Sequence, residues 1–134
     1  MKKIFLAISF NNRSKFNDEI ITIEDVIKEC GYEPMTFVNN YSFLKNEEKA
    51  MMLMACREIQ ESEILIAEVS NKVIGVGIEI GYACALNKPV IYLQNDTAEY
   101  SLTVGGMAQD HIIYSSVEDL RNKLKRALNV NFWQ

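Results

Sequence analysis

The chain has 134 residues, 15.3 kDa, 49% hydrophobic and 24% charged, which suits one globular domain and leaves no room for two. Its formal net charge of -4 and scattered basic residues argue against nucleic acid as a partner, because binding a phosphate backbone needs clustered Lys and Arg. Three cysteines, Cys30, Cys56 and Cys84, stand apart with no CxxC, so neither a disulfide framework nor a zinc site is expected and a reducing cytoplasm fits best.

The start, MKKIFLAISF, places two lysines before an apolar run. That run ends at Asn11-Asn12 without a small-residue cleavage pattern, so it reads as a strand and not as a leader. The strand covers Ile4 to Phe10, and Asn11, Asn12 and Ser14 mark a polar loop after it. From Lys15 to Cys30, Phe16, Ile20, Ile23, Val26 and Ile27 recur at three and four, which predicts a helix, with Gly31 in the C′ position. Tyr32 to Val38 is expected as a strand, at an edge or with Pro34 near its beginning, and Asn39 to Ser42 as a loop. A second helix is predicted from Asn46 to Glu61, and then a buried strand from Ile64 to Val69.

Ser70 to Gly77 reads as a loop, and Ile78 to Leu86 as a tightly packed helix stopped by Asn87-Lys88-Pro89. Val90 to Leu93 is the next strand. The 17 residues from Gln94 to Asp110 lack periodicity, which is long for a simple link and suggests a binding loop. His111 to Tyr114 reads as the last strand. Ser115 and Ser116, with Glu118 and Asp119, open a final helix through Leu120, Leu124 and Leu128. Strands alternate with helices throughout, which implies an α/β architecture: a mostly parallel five-stranded sheet, helices on both faces, and ligands at the carboxyl ends of the strands. No stretch approaches the roughly 18 apolar residues of a membrane span, so no membrane partner is expected.

The candidate chemistry lies in GVGIEIGYACALNKPV. Gly75 and Gly77 let a ligand approach the backbone, and Glu79 falls in the first turn of the predicted helix, where the dipole would keep a carboxylate ionised. An ionised carboxylate is what attack on an anomeric carbon requires, since the transition state there is oxocarbenium-like. The bare GxGxE pattern is equally what an ordinary helix start looks like. His111 is the only histidine, so neither a Ser-His-Asp triad nor a multi-histidine metal site can be argued, and no metal or cofactor is implied.

The longer string SEILIAEVSNKVIGVGIEIGYACALNKPVIYL resembles the central signature of the nucleoside 2-deoxyribosyltransferase superfamily, including its 2′-deoxynucleoside 5′-phosphate N-hydrolases. The matching parts are Glu63, the strand end Ala67-Glu68-Val69-Ser70, Gly75 and Gly77, Glu79-Ile80-Gly81-Tyr82-Ala83, and Asn87-Lys88-Pro89-Val90. The resemblance implies a Rossmann-like, flavodoxin-like fold, assembled as a homodimer or higher homo-oligomer, that cleaves or exchanges the N-glycosidic bond of a small-molecule nucleoside or nucleotide. It makes Glu79 the nucleophile. It makes Ser9, Phe10, Asn11 and Asn12 the substrate-binding loop after the first strand, with Arg13 a further charge there or a solvated surface residue. It aligns Ser101 and Thr103 with a region that supplies a hydroxyl to a neighbouring subunit's ligand.

Three positions depart from the pattern. Ala55 stands where the family's hydrolases carry an aspartate that helps the base leave, Phe5 where they have a tyrosine, and Val73 where they have a phosphate-binding serine. Glu58, one turn beyond Ala55, is either a substitute for that acid or, more simply, a solvent-facing helix residue. A non-catalytic nucleotide sensor of the same fold is therefore the alternative, and a TIR-like NAD glycohydrolase a weaker one. The methionines at 51, 52 and 54 cover more than one helix face, which suggests the core on one side and another subunit on the other. Phe132 and Trp133 are expected to dock on the body or on a neighbour.

Overall fold

A computed structural model describes residues 1–9 and 15–130. Its elements run β1 (Lys3–Ala7), α1 (Asn17–Glu29), β2 (Glu33–Thr36), α2 (Phe37–Asn40), α3 (Glu48–Gln60) and β3 (Ser62–Glu68). They continue with α4 (Ile74–Ala85), β4 (Val90–Asn95), α5 (Leu102–Gly105), β5 (Asp110–Tyr114) and α6 (Val117–Leu128). Every strand pairing is parallel, in the order β2-β1-β3-β4-β5. This is the doubly wound, flavodoxin-like order, whose direction reverses between β1 and β3. The expected mostly parallel sheet is thus parallel throughout.

Strand alternation distributes the core between the two faces. Ile4, Leu6, Ile64, Ile66, Ile91 and Leu93 pack beneath α1 and α6, whereas Phe5, Ala7, Leu65, Ala67, Val90 and Tyr92 pack beneath α2, α3 and α4. Burial on both faces explains why β3 is apolar at four successive positions, Ile64 to Ala67.

The helix stops follow local chemistry. Gly31 takes φ +88°, and Tyr32 N–H donates to Ile27 O at 3.0 Å, the closing bond of a Schellman motif. Asn87 does the same for α4 at φ 60°, with Lys88 N–H donating to Ala83 O at 2.9 Å. Ser116 caps α6 by accepting from Asp119 N–H at 3.0 Å, while the Asp119 carboxylate accepts from Ser115 N–H at 3.0 Å.

Three of the boundaries that differ from the sequence reading border the strand ends and α4 start where ligands are expected. β1 ends at Ala7, short of the expected Phe10, with Ala67 of β3 as its last ladder partner. β2 stops at Thr36, and Phe37–Asn40 turns into a short helix; burying Phe37 against Phe5, at 6.0 Å between ring centroids, outweighs its strand propensity. α4 begins at Ile74, four residues before the expected Ile78, so Gly75 and Gly77 are helical and not in a loop. Glycine costs about 1 kcal/mol per helical position relative to alanine, which masks the start. The buried trio Val76, Ile80 and Ala83, spaced four and three apart, anchors it.

At the end of β3, the buried Glu68 carboxylate accepts from Ser70 N–H at 2.7 Å, Ser70 Oγ at 2.9 Å and Tyr114 Oη at 2.5 Å. Ser70 Oγ in turn accepts from Asn95 N–H at 2.9 Å. Burial pushes the Glu68 carboxyl up, and the three donors oppose that by favouring its charge. The network ties β3, β4 and β5 together where the chain leaves for α4, which fixes the approach to Glu79.

Candidate active site

A cleft of about 520 Å³ opens at the carboxyl ends of β1 and β3, where the strand order reverses. Its size falls in the range of small-molecule sites. Ile8 and Ser9 from the end of β1, Val73, Gly75, Val76 and Glu79 from the start of α4, and Ala55 from α3 all line it. Phe37, Tyr41 and Phe43 form the remaining apolar wall, and Lys45 and Glu48 are exposed groups at its edge.

Glu79 is half-buried and makes no hydrogen bond or ion pair among the described residues. It begins the second turn of α4, not the first, so the helix dipole supports its charge less than the sequence suggested. Loss of water around it dominates, raising its pKa from 4.5 to about 7. The expectation of a firmly ionised carboxylate is corrected: near neutral pH the group sits at its own titration midpoint. An unpartnered, partly dehydrated carboxylate facing a cleft is the usual condition of a group that waits for a ligand.

Ser9 is 7% exposed, and its hydroxyl has no partner among the described residues. It lines the same cleft as Gly75, at the uncapped start of α4. A Cβ built on Gly75 or Gly77 meets nothing within 4 Å, so these glycines leave open space beside the helix start. The structure thus brings Ser9, Gly75 and Glu79 to one cleft. Gly77 lies on the same helix but does not line it.

Phe10, Asn11, Asn12 and Arg13, like Phe132 and Trp133, lie outside the described residues. Ser101 and Thr103 do not line the cleft; Ser101 caps α5, accepting from Val104 N–H at 3.4 Å. Around them Tyr92 Oη accepts from Ser101 N–H at 3.0 Å, and the Tyr100 ring packs on Tyr92 at 5.1 Å. The unpatterned connection is therefore a braced segment on the side of the sheet edge.

The departures from the family pattern have separate fates. Ala55 and Val73 both present apolar surface to the cleft, whereas Phe5 is buried beneath Phe37 and does not line it. Met51 and Met52 are cleft wall, and Met54 packs on the core. Glu58 is 4% exposed, not solvent-facing as expected, because the Tyr41 ring and Lys3 close over it.

Sequence reasoning missed the aromatic wall and Glu48. A signal for Glu48 was present, since Glu48, Met52 and Ala55 recur at four and three on one helix face. The aromatic wall had none, because its residues lie in a loop and a short helix where periodicity is silent. Among the described residues no group of three or more His, Cys, Asp or Glu side chains could hold a metal ion.

Known proteins are similar to this chain in sequence and fold. Residues 4–124 match the family model described as nucleoside 2-deoxyribosyltransferase. A Syntrophotalea carbinolica protein provisionally named 2′-deoxynucleoside 5′-phosphate N-hydrolase 1 is 40% identical over 73 residues, which is 52% of this chain and 51% of that protein. The chain thus spans about half the length of that relative. The CMP N-glycosidase BcmB of Clostridium botulinum superposes with a TM-score of 0.71 at 23% identity, covering 92% of this chain and 98% of its own. A 2-deoxyribosyltransferase of Bacillus psychrosaccharolyticus gives 0.73 at 18% identity, covering 96% of each chain. These two likenesses show the fold. With the family match running from β1 into α6 and including every described residue of the cleft, the chain belongs to the nucleoside 2-deoxyribosyltransferase family.

Proposed function

We propose that this protein, acting as a single domain, cleaves or transfers the N-glycosidic bond of a nucleoside or nucleoside 5′-phosphate, with Glu79 as nucleophile. The observation that carries the proposal is the unpartnered Glu79 carboxylate in a cleft of nucleoside size at the strand-order reversal. The relatives named above for hydrolysing or transferring at such bonds support it.

In the first step a Glu79 oxygen lone pair forms a bond to C1 of the sugar while the C1–N bond breaks and its electrons leave with the base. The base then takes a proton from water. In the second step water, or another base, attacks C1 and releases the Glu79 carboxylate. With water as acceptor, the proton it loses goes to solvent.

Ser9 and the uncapped start of α4, opened by Gly75 and Gly77, would hold the sugar or its 5′-phosphate; Phe10, Asn11 and Asn12 complete that loop in our reading. The test is incubation with a panel of nucleosides, 5′-monophosphates and NAD, followed by chromatography for free base. Release of base, abolished in Glu79→Gln, is expected. Saturable nucleotide binding with no base from any of them would replace the enzyme by a sensor, the reading that the apolar Ala55 and Val73 favour.

We further propose a homodimer or higher homo-oligomer. Ile74 and Ile78 are exposed one turn apart on α4, and Leu53 is exposed on α3, apolar surface that a second copy would cover. Ser101 and Thr103 would then serve the neighbour's cleft. Sedimentation should show the parent as a dimer or larger and Ile78→Glu as a monomer; a monomeric parent at assay concentration overturns the assembly. No helix among the described residues is long and apolar enough to cross a membrane, and the three free cysteines suit a reducing cytoplasm.

A further inference from the structure

The least explained group near the cleft is Glu58. A carboxylate 4% exposed carries a desolvation cost that often exceeds what its partners return, so an apolar side chain in its place would commonly serve stability as well. Its partners are Lys3 Nζ at 3.5 Å, a long ion pair, and Tyr41 Oη, which donates to it at 3.0 Å. Glu58 itself does not line the cleft, but Tyr41 does.

Tyr41 stands in a segment without regular structure, where an unanchored ring would be free to change rotamer. Here it is held. Its ring packs against Phe37 at 5.0 Å and Phe43 at 6.0 Å, and Phe37 and Phe43 are themselves 6.0 Å apart. The three rings form one continuous wall in the same cleft as Glu79. Every nucleobase has a π-face, and stacking on aromatic side chains binds bases with little regard to their hydrogen-bonding edges.

We propose that the Phe37–Tyr41–Phe43 wall is the surface on which the planar base packs, and that Glu58 is its positioning residue, holding Tyr41 in place through the Tyr41 hydroxyl. The proposal rests on the glycosidase reading above and adds which wall receives the leaving group. The hydrogen bond to Glu58 also pushes the Tyr41 phenol pKa up, so the hydroxyl keeps the proton it donates. Because the wall is already formed without ligand, less ordering is left for the moment of binding.

The test compares a ligand with a base against one without. KM for the best nucleoside monophosphate, or its Kd where nothing turns over, is measured beside the inhibition constant or Kd of ribose 5-phosphate. Tyr41→Leu should weaken the nucleotide by about 5- to 100-fold and ribose 5-phosphate by less than about 2-fold. Glu58→Leu should reproduce part of that loss. Glu58→Gln, which keeps an acceptor for the Tyr41 hydroxyl, should restore it.

Tyr41→Phe provides a mild variant that keeps the ring should the leucine variants fail to fold, and a loss of about 2- to 5-fold confined to the nucleotide is expected for it. Equal weakening of both ligands, or folded variants with unchanged nucleotide affinity, overturns the inference and leaves the proposed function standing. Failure of the parent to bind or cleave any nucleoside, nucleotide or NAD overturns both.

Discussion

Glu79→Gln is expected to lower base release by at least about 10³-fold with little change in KM, because the amide cannot form the bond to C1 while the cleft around it is unaltered. The parent's pH profile should carry the same signature. The attacking form is the carboxylate, and desolvation raises the folded-state pKa to about 7. kcat/KM should therefore rise about tenfold per pH unit up to that value and level off above it, making pH 5 about a hundredfold slower than pH 8. An activity that is flat between pH 5 and 8, or a glutamine variant as active as the parent, would remove Glu79 from the mechanism.

The same shift sets the sign of a stability effect. A carboxyl whose folded-state pKa lies above its ordinary 4.5 binds its proton more tightly folded than unfolded, so stability falls as pH rises from about 4.5 to 7. Above that window the full cost of the dehydrated charge is present, and below it none is. Because Glu79 keeps part of its exposure, about 1 kcal/mol is a reasonable size after solvent screening. Glu79→Gln should then melt about 3–5 °C higher than the parent at pH 8 and no higher at pH 4. A carboxylate that stabilised the fold would give the opposite result.

The second large effect is expected from Ala55→Asp. Ala55 lines the cleft from α3 and is 1% exposed, at the position where the resemblance puts a base-side acid. Without an acid at this position, the electrons of the broken C1–N bond leave uncompensated until water protonates the base. General acid help is typically worth about 10²- to 10⁴-fold, and an aspartate on the same helix turn should recover up to about 10² of it in kcat. The gain comes at a cost in stability, since the acid is buried with no partner prepared for it. Two carboxyl groups in one cleft also raise one another, so the acidic limb of the variant should move above pH 7. A folded variant no faster than the parent on any substrate would mean that base departure does not limit this protein.

The fold was legible because its causes are local. The apolar runs at Ile64 to Val69, interrupted only by Glu68, and at Val90 to Leu93 require burial on both faces, and helical spacing between such runs leaves a parallel sheet as the consistent arrangement. Gly31, Asn87-Lys88-Pro89 and Ser116 declare helix ends through chemistry that acts within five residues. The start of α4 was misplaced for the same reason in reverse. Gly75 and Gly77 weaken the local helix signal, and the anchoring burial of Val76 and Ile80 lies across the sheet.

The cleft was legible only in part. The string around Glu79 named that carboxylate as the candidate, and Ser9 was named with it, but no spacing in the chain states that β1 and β3 are neighbours or that α3 and the Phe37–Phe43 segment complete the walls. Those contacts join residues tens of positions apart, and they decide the chemistry. Burial set by them moves Glu79 to a pKa of about 7 and seals Glu58 under Tyr41. Patterning along the chain is therefore sufficient for the order and type of the five strands and the four longer helices, though not for the short helices α2 and α5, since propensity and periodicity act over a few residues. The protonation, neighbours and walls of the site depend on solvent exclusion, which arises only once the distant segments have packed.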